Sequence, residues 1–278
     1  MIHIENFFPR KLSGINKVIK IIFERIRLMK CDDQILYYIE NNYKTFDEKI
    51  NFLIENGLPF HLYPDAENES LKKSILSNRI YELATQKEIT KINKLFSQNN
   101  ISAIFFKGVI LSHQLYPKTF MRKVGDIDLF VLEGSFETAA NILLTLGYAF
   151  AKPEKMLAEH HVVFNNDIFF VELHKSIYHP MIGIDEDFLK LSIDSIEINR
   201  ERFFTFNVTA TLLHLLYHLY MDTYLTVGNL YNVFATKSLL KAGRFIYRAY
   251  EIALFSEKYF KQIKWDEIIN DLKKQKLR

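Results

Sequence analysis

Hydrophobic residues recur at helical spacing through most of the first hundred positions. Apolar side chains three or four positions apart mark one face of a helix. This pattern covers residues 15–26, 35–39 and 71–95. The last stretch predicts either one long amphipathic helix or a broken pair, whereas the segment from Gly57 to Asn68, with its two prolines, predicts a loop. We therefore expect an N-terminal helical region over residues 1–98.

Strand-like and helix-like segments then alternate over the next hundred residues. Short apolar runs predict strands at residues 101–106, 126–132, 161–164 and 168–174. A helix is predicted at 108–116, and a second should begin after Ser135 and stop at Gly147. The polar tripeptide 165–167 separates two of the strands and predicts a hairpin. A further alternating run ends at Phe206, so we expect an α+β core.

Helical periodicity returns after that core. Leucines recur closely after Thr209, a second helix is predicted over residues 244–260, and Trp265 begins a last one. The chain thus divides into three predicted regions: an N-terminal helical region 1–98, a core 99–206 and a C-terminal helical region 207–278.

The composition is that of a globular protein, with 49% hydrophobic and 25% charged residues. A net charge of +3 argues against a dedicated nucleic-acid-binding protein, which needs a strongly basic surface. The single cysteine, Cys31, excludes an internal disulfide and fits a reducing compartment. No apolar run approaches the ~20 residues that cross a bilayer, and no signal-peptide core follows the first residues. We expect a cytoplasmic protein that does not engage a membrane.

Two carboxylates separated by one apolar residue begin the second predicted strand. Side chains two positions apart lie on the same face of a strand, so Asp126 and Asp128 point one way while Ile127 points into the core. The two acids repel each other unless a cation lies between them, and Mg²⁺ prefers such oxygen ligands. An exposed strand edge with alternating acids is the other interpretation. The apolar residues that follow favour a central strand, where acids rarely lie without a use.

The residues around this pair resemble the signature of a known family. They are Phe106-Lys107-Gly108, Leu111, Tyr116-Pro117, Arg122 and Gly125-Asp126-Ile127-Asp128-Leu129. These motifs are similar to those of the uncharacterised nucleotidyltransferase family, within the DNA polymerase beta-like nucleotidyltransferase superfamily. The resemblance implies an α+β fold, with a polymerase-beta-like core and a mixed β-sheet flanked by N-terminal and C-terminal helical regions. Lys107-Gly108 stands where many members of the superfamily have Gly-Ser.

A third acid lies on a later predicted strand, in Val171-Glu172-Leu173-His174. Glu172 and His174 share one face of that strand. The tetrapeptide resembles the family's acid-Leu-His motif, whose acid completes a carboxylate triad. The resemblance implies that Asp126, Asp128 and Glu172 are catalytic and hold Mg²⁺, with two ions expected. The alternative is that Glu172 lies on an exposed strand face.

Three further residues are candidates for binding the nucleotide. Lys107 could neutralise phosphate charge, and Gly108 would allow the backbone at a helix N-terminus to approach the phosphates closely. Arg122 could bind a phosphate with two hydrogen bonds. The plainer alternatives are a solvated Lys107 beside a simple glycine turn, and a surface arginine in a proline-containing loop.

The sequence also contains two pairs of closely spaced histidines. His214 and His218 lie four positions apart on one predicted helix, a spacing that suits a metal pair, although packing in a leucine-rich helix is the other interpretation. For His160 and His161, strand geometry would send the two rings to opposite sides.

The resemblance implies transfer of a nucleoside monophosphate from an NTP to a hydroxyl or similar acceptor, with release of pyrophosphate. The near-neutral charge favours a small molecule or a protein over long nucleic acid as the acceptor. The alternative is a non-catalytic nucleotide-binding or regulatory module, such as a toxin–antitoxin or biosynthetic-cluster component.

Overall fold

The computed structural model describes residues 31–55, 57–63, 68–151, 160–178, 184–235 and 239–275. The helical pattern predicted at residues 15–26 lies outside these ranges. Within them, no helix combines the length and the hydrophobicity that a membrane-spanning segment needs.

The strands come from the middle of the chain, and helices lie before and after them in the described ranges. The helices are α1 (Cys31–Asn42), α2 (Phe46–Glu55), α3 (Glu69–Gln98), α4 (Gly108–Leu115), α5 (Phe136–Thr145), α6 (Asp187–Leu191), α7 (Val208–Ala235), α8 (Leu239–Tyr259) and α9 (Trp265–Lys274). The strands are β1 (Ala103–Phe106), β2 (Asp126–Val131), β3 (Ala149–Phe150), β4 (His161–Asn165), β5 (Phe170–His174), β6 (Ile193–Ile198) and β7 (Glu201–Phe206).

The chain forms two compact units. The central unit comprises residues 57–211, and the helical unit comprises residues 1–56 together with 212–278. The helical unit is therefore built from both ends of the chain.

All seven strands of the described ranges belong to one mixed sheet in the central unit, in the order β3-β4-β5-β2-β1-β7-β6. Strand β2 is fourth of the seven, as its apolar sequence predicts. It pairs antiparallel with β1 and parallel with β5, and β1 pairs parallel with β7. The predicted mixed α+β sheet is confirmed.

The alternation of β2 side chains decides which face of the sheet is the core. Ile127, Leu129 and Val131 join the main hydrophobic cluster, to which α3 and α5 contribute one apolar face each. Burying one side chain such as Leu129 contributes roughly 1.5–3 kcal/mol. Asp126 and Asp128 consequently point to the opposite face.

Local signals account for the ends of the neighbouring helices. The Asn68 side chain accepts a hydrogen bond from the Leu71 backbone N–H (3.0 Å), and α3 then continues unbroken, which settles the alternative of a broken pair. Gly147, at φ 90°, follows the end of α5 as predicted. The predicted hairpin is formed by the antiparallel pairing of β4 with β5.

The helical unit is joined by polar contacts between distant parts of the chain. The Tyr250 hydroxyl of α8 donates to Asp32 of α1 (2.6 Å), and the Tyr217 hydroxyl of α7 bonds Asp271 of α9. Helix α9 turns Ile268 and Leu272 inward, so its apolar face is buried. These contacts give the two chain ends a shared core.

Candidate active site

Two neighbouring parallel strands bring the predicted acids together. Asp128 of β2 lies opposite Glu172 of β5 and, on its other side, opposite Phe106 of β1. Side chains that lie side by side on adjacent strands are within contact distance. Asp128 is 1% exposed, whereas Asp126 and Glu172 are half-buried. The acids therefore lie together on the face of the sheet opposite the main hydrophobic cluster, and this partly buried group of side chains is called the recess below.

His174 completes the tightest part of this recess. One ligand atom from each of Asp128, Glu172 and His174 lies within 4.8 Å of the other two. The His174 Nε2 atom is 3.4 Å from Asp128 Oδ1 and 3.5 Å from Glu172 Oε2. Among the described residues, Asp126 lies outside this tight group, although its charge interacts with both other acids.

A lysine ammonium occupies the position between the acids. Lys107 Nζ donates to Asp128 Oδ1 at 2.6 Å and lies 4.0 Å from Glu172 Oε2. The Lys107 side chain is only 19% exposed, so the interpretation of a solvated lysine at a turn is wrong. A cation does neutralise Asp128, and in this structure it belongs to the chain itself.

The pKa shifts follow from burial and from this ion pair. Burial favours the neutral form of Asp128, but the Lys107 charge and the His174 ring outweigh it, so the pKa of Asp128 falls below its ordinary value. Burial also opposes the charge on Lys107, yet Asp128 and Glu172 raise its pKa. For Asp126, burial and then the charges of Asp128 and Glu172 raise the pKa to about 6. The Lys107 charge opposes this rise in the pKa of Asp126 but does not outweigh it.

The donor set fits a divalent cation. Asp128 Oδ2 is buried and has no hydrogen-bond partner among the described residues. Buried polar atoms are normally paired, so an orphaned carboxylate oxygen indicates a missing ligand. Carboxylate oxygens on adjacent strands are the ligands that Mg²⁺ takes. Asp128 and Glu172 could hold such an ion, with Asp126 beside them.

The backbone of Lys107 and Gly108 is folded tightly against the start of β2. A Cβ atom on Gly108 would lie 3.1 Å from the Asp126 carbonyl oxygen, closer than most real contacts, so this close approach requires glycine. Lys107 itself adopts φ 56° and ψ −133°, a conformation that side chains rarely tolerate. Helix α4 begins directly after it, with its N-terminus beside the acids.

Arg122 is buried next to this turn. It is 7% exposed, its Nη1 donates to the Lys123 carbonyl oxygen (3.2 Å), and the same nitrogen lies 3.8 Å from the Cβ position of Gly108. The interpretation of Arg122 as a surface arginine is therefore wrong. The structure brings its guanidinium to the N-terminus of α4, near Lys107.

The expectation that His160 and His161 face opposite sides is also wrong. Their ring nitrogens share a hydrogen bond of 3.0 Å, and both rings pack near His174, with centroid distances of 5.6 Å and 4.9 Å. Strand β4 begins at His161, so alternation does not apply to His160. Sequence reasoning gave these three histidines no role in the site. The signal that could have placed two of them is hairpin register, since His161 pairs with His174.

His214 and His218 lie on α7 in the helical unit. Their ring centroids are 5.8 Å apart and His214 is buried. Within the described ranges, no third ligand joins them.

The same sequence can be compared with known proteins. The family described as uncharacterised nucleotidyltransferase matches residues 56–278, which is most of the chain and includes every residue of the site. No protein of curated function matches the sequence significantly. The family's description names nucleotidyl transfer, and the recess of acids beside a lysine and a helix N-terminus suits that chemistry. The chain belongs to this uncharacterised nucleotidyltransferase family.

Proposed function

We propose that the protein is a Mg²⁺-dependent enzyme that transfers a nucleoside monophosphate from an NTP to an acceptor hydroxyl and releases pyrophosphate. The observation that carries the proposal is that Asp128 lies beside Glu172 while its buried Oδ2 atom has no hydrogen-bond partner within the described part of the chain. A structural pair of acids would be satisfied by hydrogen bonds.

Asp126, Asp128 and Glu172 hold the metal in this proposal. Bound Mg²⁺ supplies charge neutralisation at the phosphates and lowers the pKa of the attacking hydroxyl. In this proposal the half-buried Glu172, beside Asp128, accepts the proton from the acceptor hydroxyl.

Lys107, Gly108 and Arg122 bind the phosphates. Lys107 and Arg122 provide positive charge near the α4 N-terminus, and Gly108 leaves room for the backbone N–H groups to approach the phosphate oxygens. Fixed cations and backbone dipoles stabilise the charge that develops during phosphoryl transfer, because they need no rearrangement at that moment. An acceptor of low charge, a small molecule or a protein, suits the near-neutral chain.

The variant that tests this proposal is Asp126→Asn. In the wild type, the pKa of the Asp126 carboxyl is raised to about 6. At pH 7.5 the folded protein therefore carries a negative charge that its surroundings disfavour, a cost that is absent in the unfolded chain. Without metal, the variant should unfold at a higher temperature than the wild type, by the equivalent of roughly 1–3 kcal/mol. This advantage should disappear as the pH falls from about 6 to below 3.8, where the aspartate is protonated in both states.

The Asp126→Asn variant should lose function although it gains stability. Mg²⁺ with NTP should raise the melting temperature of the wild type, since a ligand that binds only the folded state stabilises it, and Asp126→Asn should lose that shift. Incubation with each labelled NTP and a metabolite extract should label an acceptor in the wild type alone.

Asp167→Asn, at the exposed hairpin turn, is the control and should keep both the melting shift and the labelling. A melting shift without label in any acceptor would identify a regulatory nucleotide-binding module. Unchanged transfer by Asp126→Asn would refute the assignment.

A further inference from the structure

Three imidazoles meet beside the carboxylates. His160 lies just before β4, His161 is its first residue, and His174 is the last residue of β5. Antiparallel pairing sets His161 directly against His174, and the Lys175 and Ser176 backbone N–H groups bind the His160 carbonyl oxygen at 3.1 and 3.2 Å. The sheet and its extension therefore fix the backbone of all three histidines.

Their ring nitrogens have the spacing of a metal site. One nitrogen from each ring lies within 4.8 Å of the other two. Ligands of a tetrahedral zinc ion, bound at about 2.0–2.1 Å, lie roughly 3.3 Å from one another. The contact between His161 Nδ1 and His160 Nε2, now 3.0 Å, need open by only a few tenths of an ångström to reach that separation.

His174 is the ring that points to a missing ligand. It is 1% exposed, and neither of its ring nitrogens has a hydrogen-bond partner among the described residues. Its contacts with Asp128 and Glu172, at 3.4 and 3.5 Å, are longer than ordinary hydrogen bonds. A buried imidazole with both nitrogens unsatisfied is costly unless another group binds it.

We propose that His160, His161 and His174 form a second metal site, which binds a transition-metal ion of the Zn²⁺ class. Imidazole nitrogens suit Zn²⁺ and its neighbours, whereas Mg²⁺ prefers the oxygens of the adjacent acids. Three histidines leave the fourth tetrahedral position open to water or to a ligand. Because His174 also contacts Asp128 and Glu172, an ion at this site fixes the ring that borders the carboxylates. The site does not depend on nucleotidyl transfer.

Cobalt absorption tests the site directly. The full-length protein, stripped of metal with a chelator, is titrated with Co²⁺ and followed in the visible range. One equivalent should give the intense absorption of a tetrahedral ion, and Zn²⁺ should displace it. His160→Gln should weaken Co²⁺ binding at least ~10-fold. His214→Gln, which disrupts the other histidine pair, is the matched control and should bind Co²⁺ as the wild type does.

A second variant guards against a folding defect. His160→Cys keeps a ligand at the same position and should retain binding while adding a sulfur-to-cobalt charge-transfer band. Weak absorption typical of octahedral cobalt, absence of the sulfur band in His160→Cys, or binding lost in His214→Gln would each overturn the proposal. So would binding that survives His160→Gln but is lost in Glu172→Gln, because the ion would then lie among Asp128, Glu172 and His174.

Discussion

Lys107 combines two features that are individually unfavourable. Its backbone lies in a region that glycine prefers, at φ 56° and ψ −133°, and its ammonium is largely withdrawn from water. The buried ion pair with Asp128 offsets the second cost, because removing either partner would leave an uncompensated charge in the recess. The strained turn places the ammonium against the acid.

We expect Lys107→Ala and Lys107→Gly both to be destabilised, since both leave Asp128 without its cation. The alanine variant should be the less stable, by about 1 kcal/mol, because it keeps the strained backbone that glycine relieves. Chemical denaturation with urea measures both values. The matched control is Asn100, at φ 58° after α3, where alanine and glycine report backbone strain without an ion pair. Equal stability of the two Lys107 variants would show that this turn is unstrained.

At the scale of helices and strands, sequence reasoning succeeded where a regular element dominated. The i, i+2 rule predicts that Asp126 and Asp128 share one face of β2, and it holds because β2 is a regular strand. Its central position and its one core-facing side make the pattern easy to recognise in the sequence. The two-residue β3 and the five-residue α6 were not predicted, since neither is long enough to show a period. The side-chain contact of Lys107 and the position of His160 depend on irregular backbone, where no periodic rule applies.

A capping box begins helix α2 and gives a prediction with a definite pH dependence. The Thr45 hydroxyl accepts from the Glu48 backbone N–H (3.2 Å), and the Glu48 carboxylate accepts from the backbone N–H groups of Thr45 (3.0 Å) and Lys44 (2.9 Å). These backbone bonds lower the pKa of Glu48 below 4.5. The stabilisation is therefore complete above 4.5 and is lost as the pH falls through the lower folded-state pKa.

Glu48→Gln should consequently lower the melting temperature at about pH 7, and the difference from the wild type should narrow at about pH 3. Differential scanning calorimetry at both pH values measures it. Glu137→Gln, in the first turn of α5, removes an exposed carboxylate and is the control. A difference that stays constant over this pH range would mean that the Glu48 charge contributes nothing to the cap.

At the scale of the whole molecule, the site and the helical unit both depend on residues far apart in sequence. Asp128 meets Glu172 only through the parallel pairing of β2 with β5, so no continuous segment contains the site. The helical unit is more extreme, because Asp32 and Tyr250, which bond across it, are 218 positions apart. In the sequence, residues 57–211 of the central unit separate the two segments of the helical unit.

This arrangement affects the order in which the two units can fold. During synthesis, residues 1–56 leave the ribosome before residues 212–278, so they lack the other part of their unit until those residues follow. Closing so long a loop costs entropy, and prior folding of the central unit shortens the loop that remains.

In refolding followed by pulsed hydrogen exchange, amides of α3, β1 and β2 should become protected before those of α1 and α2. Earlier protection of α1 and α2 would contradict this order. If the order holds, the apolar face of α2 stays exposed on the nascent chain until the helical unit forms, and such exposed apolar surface is what a chaperone binds.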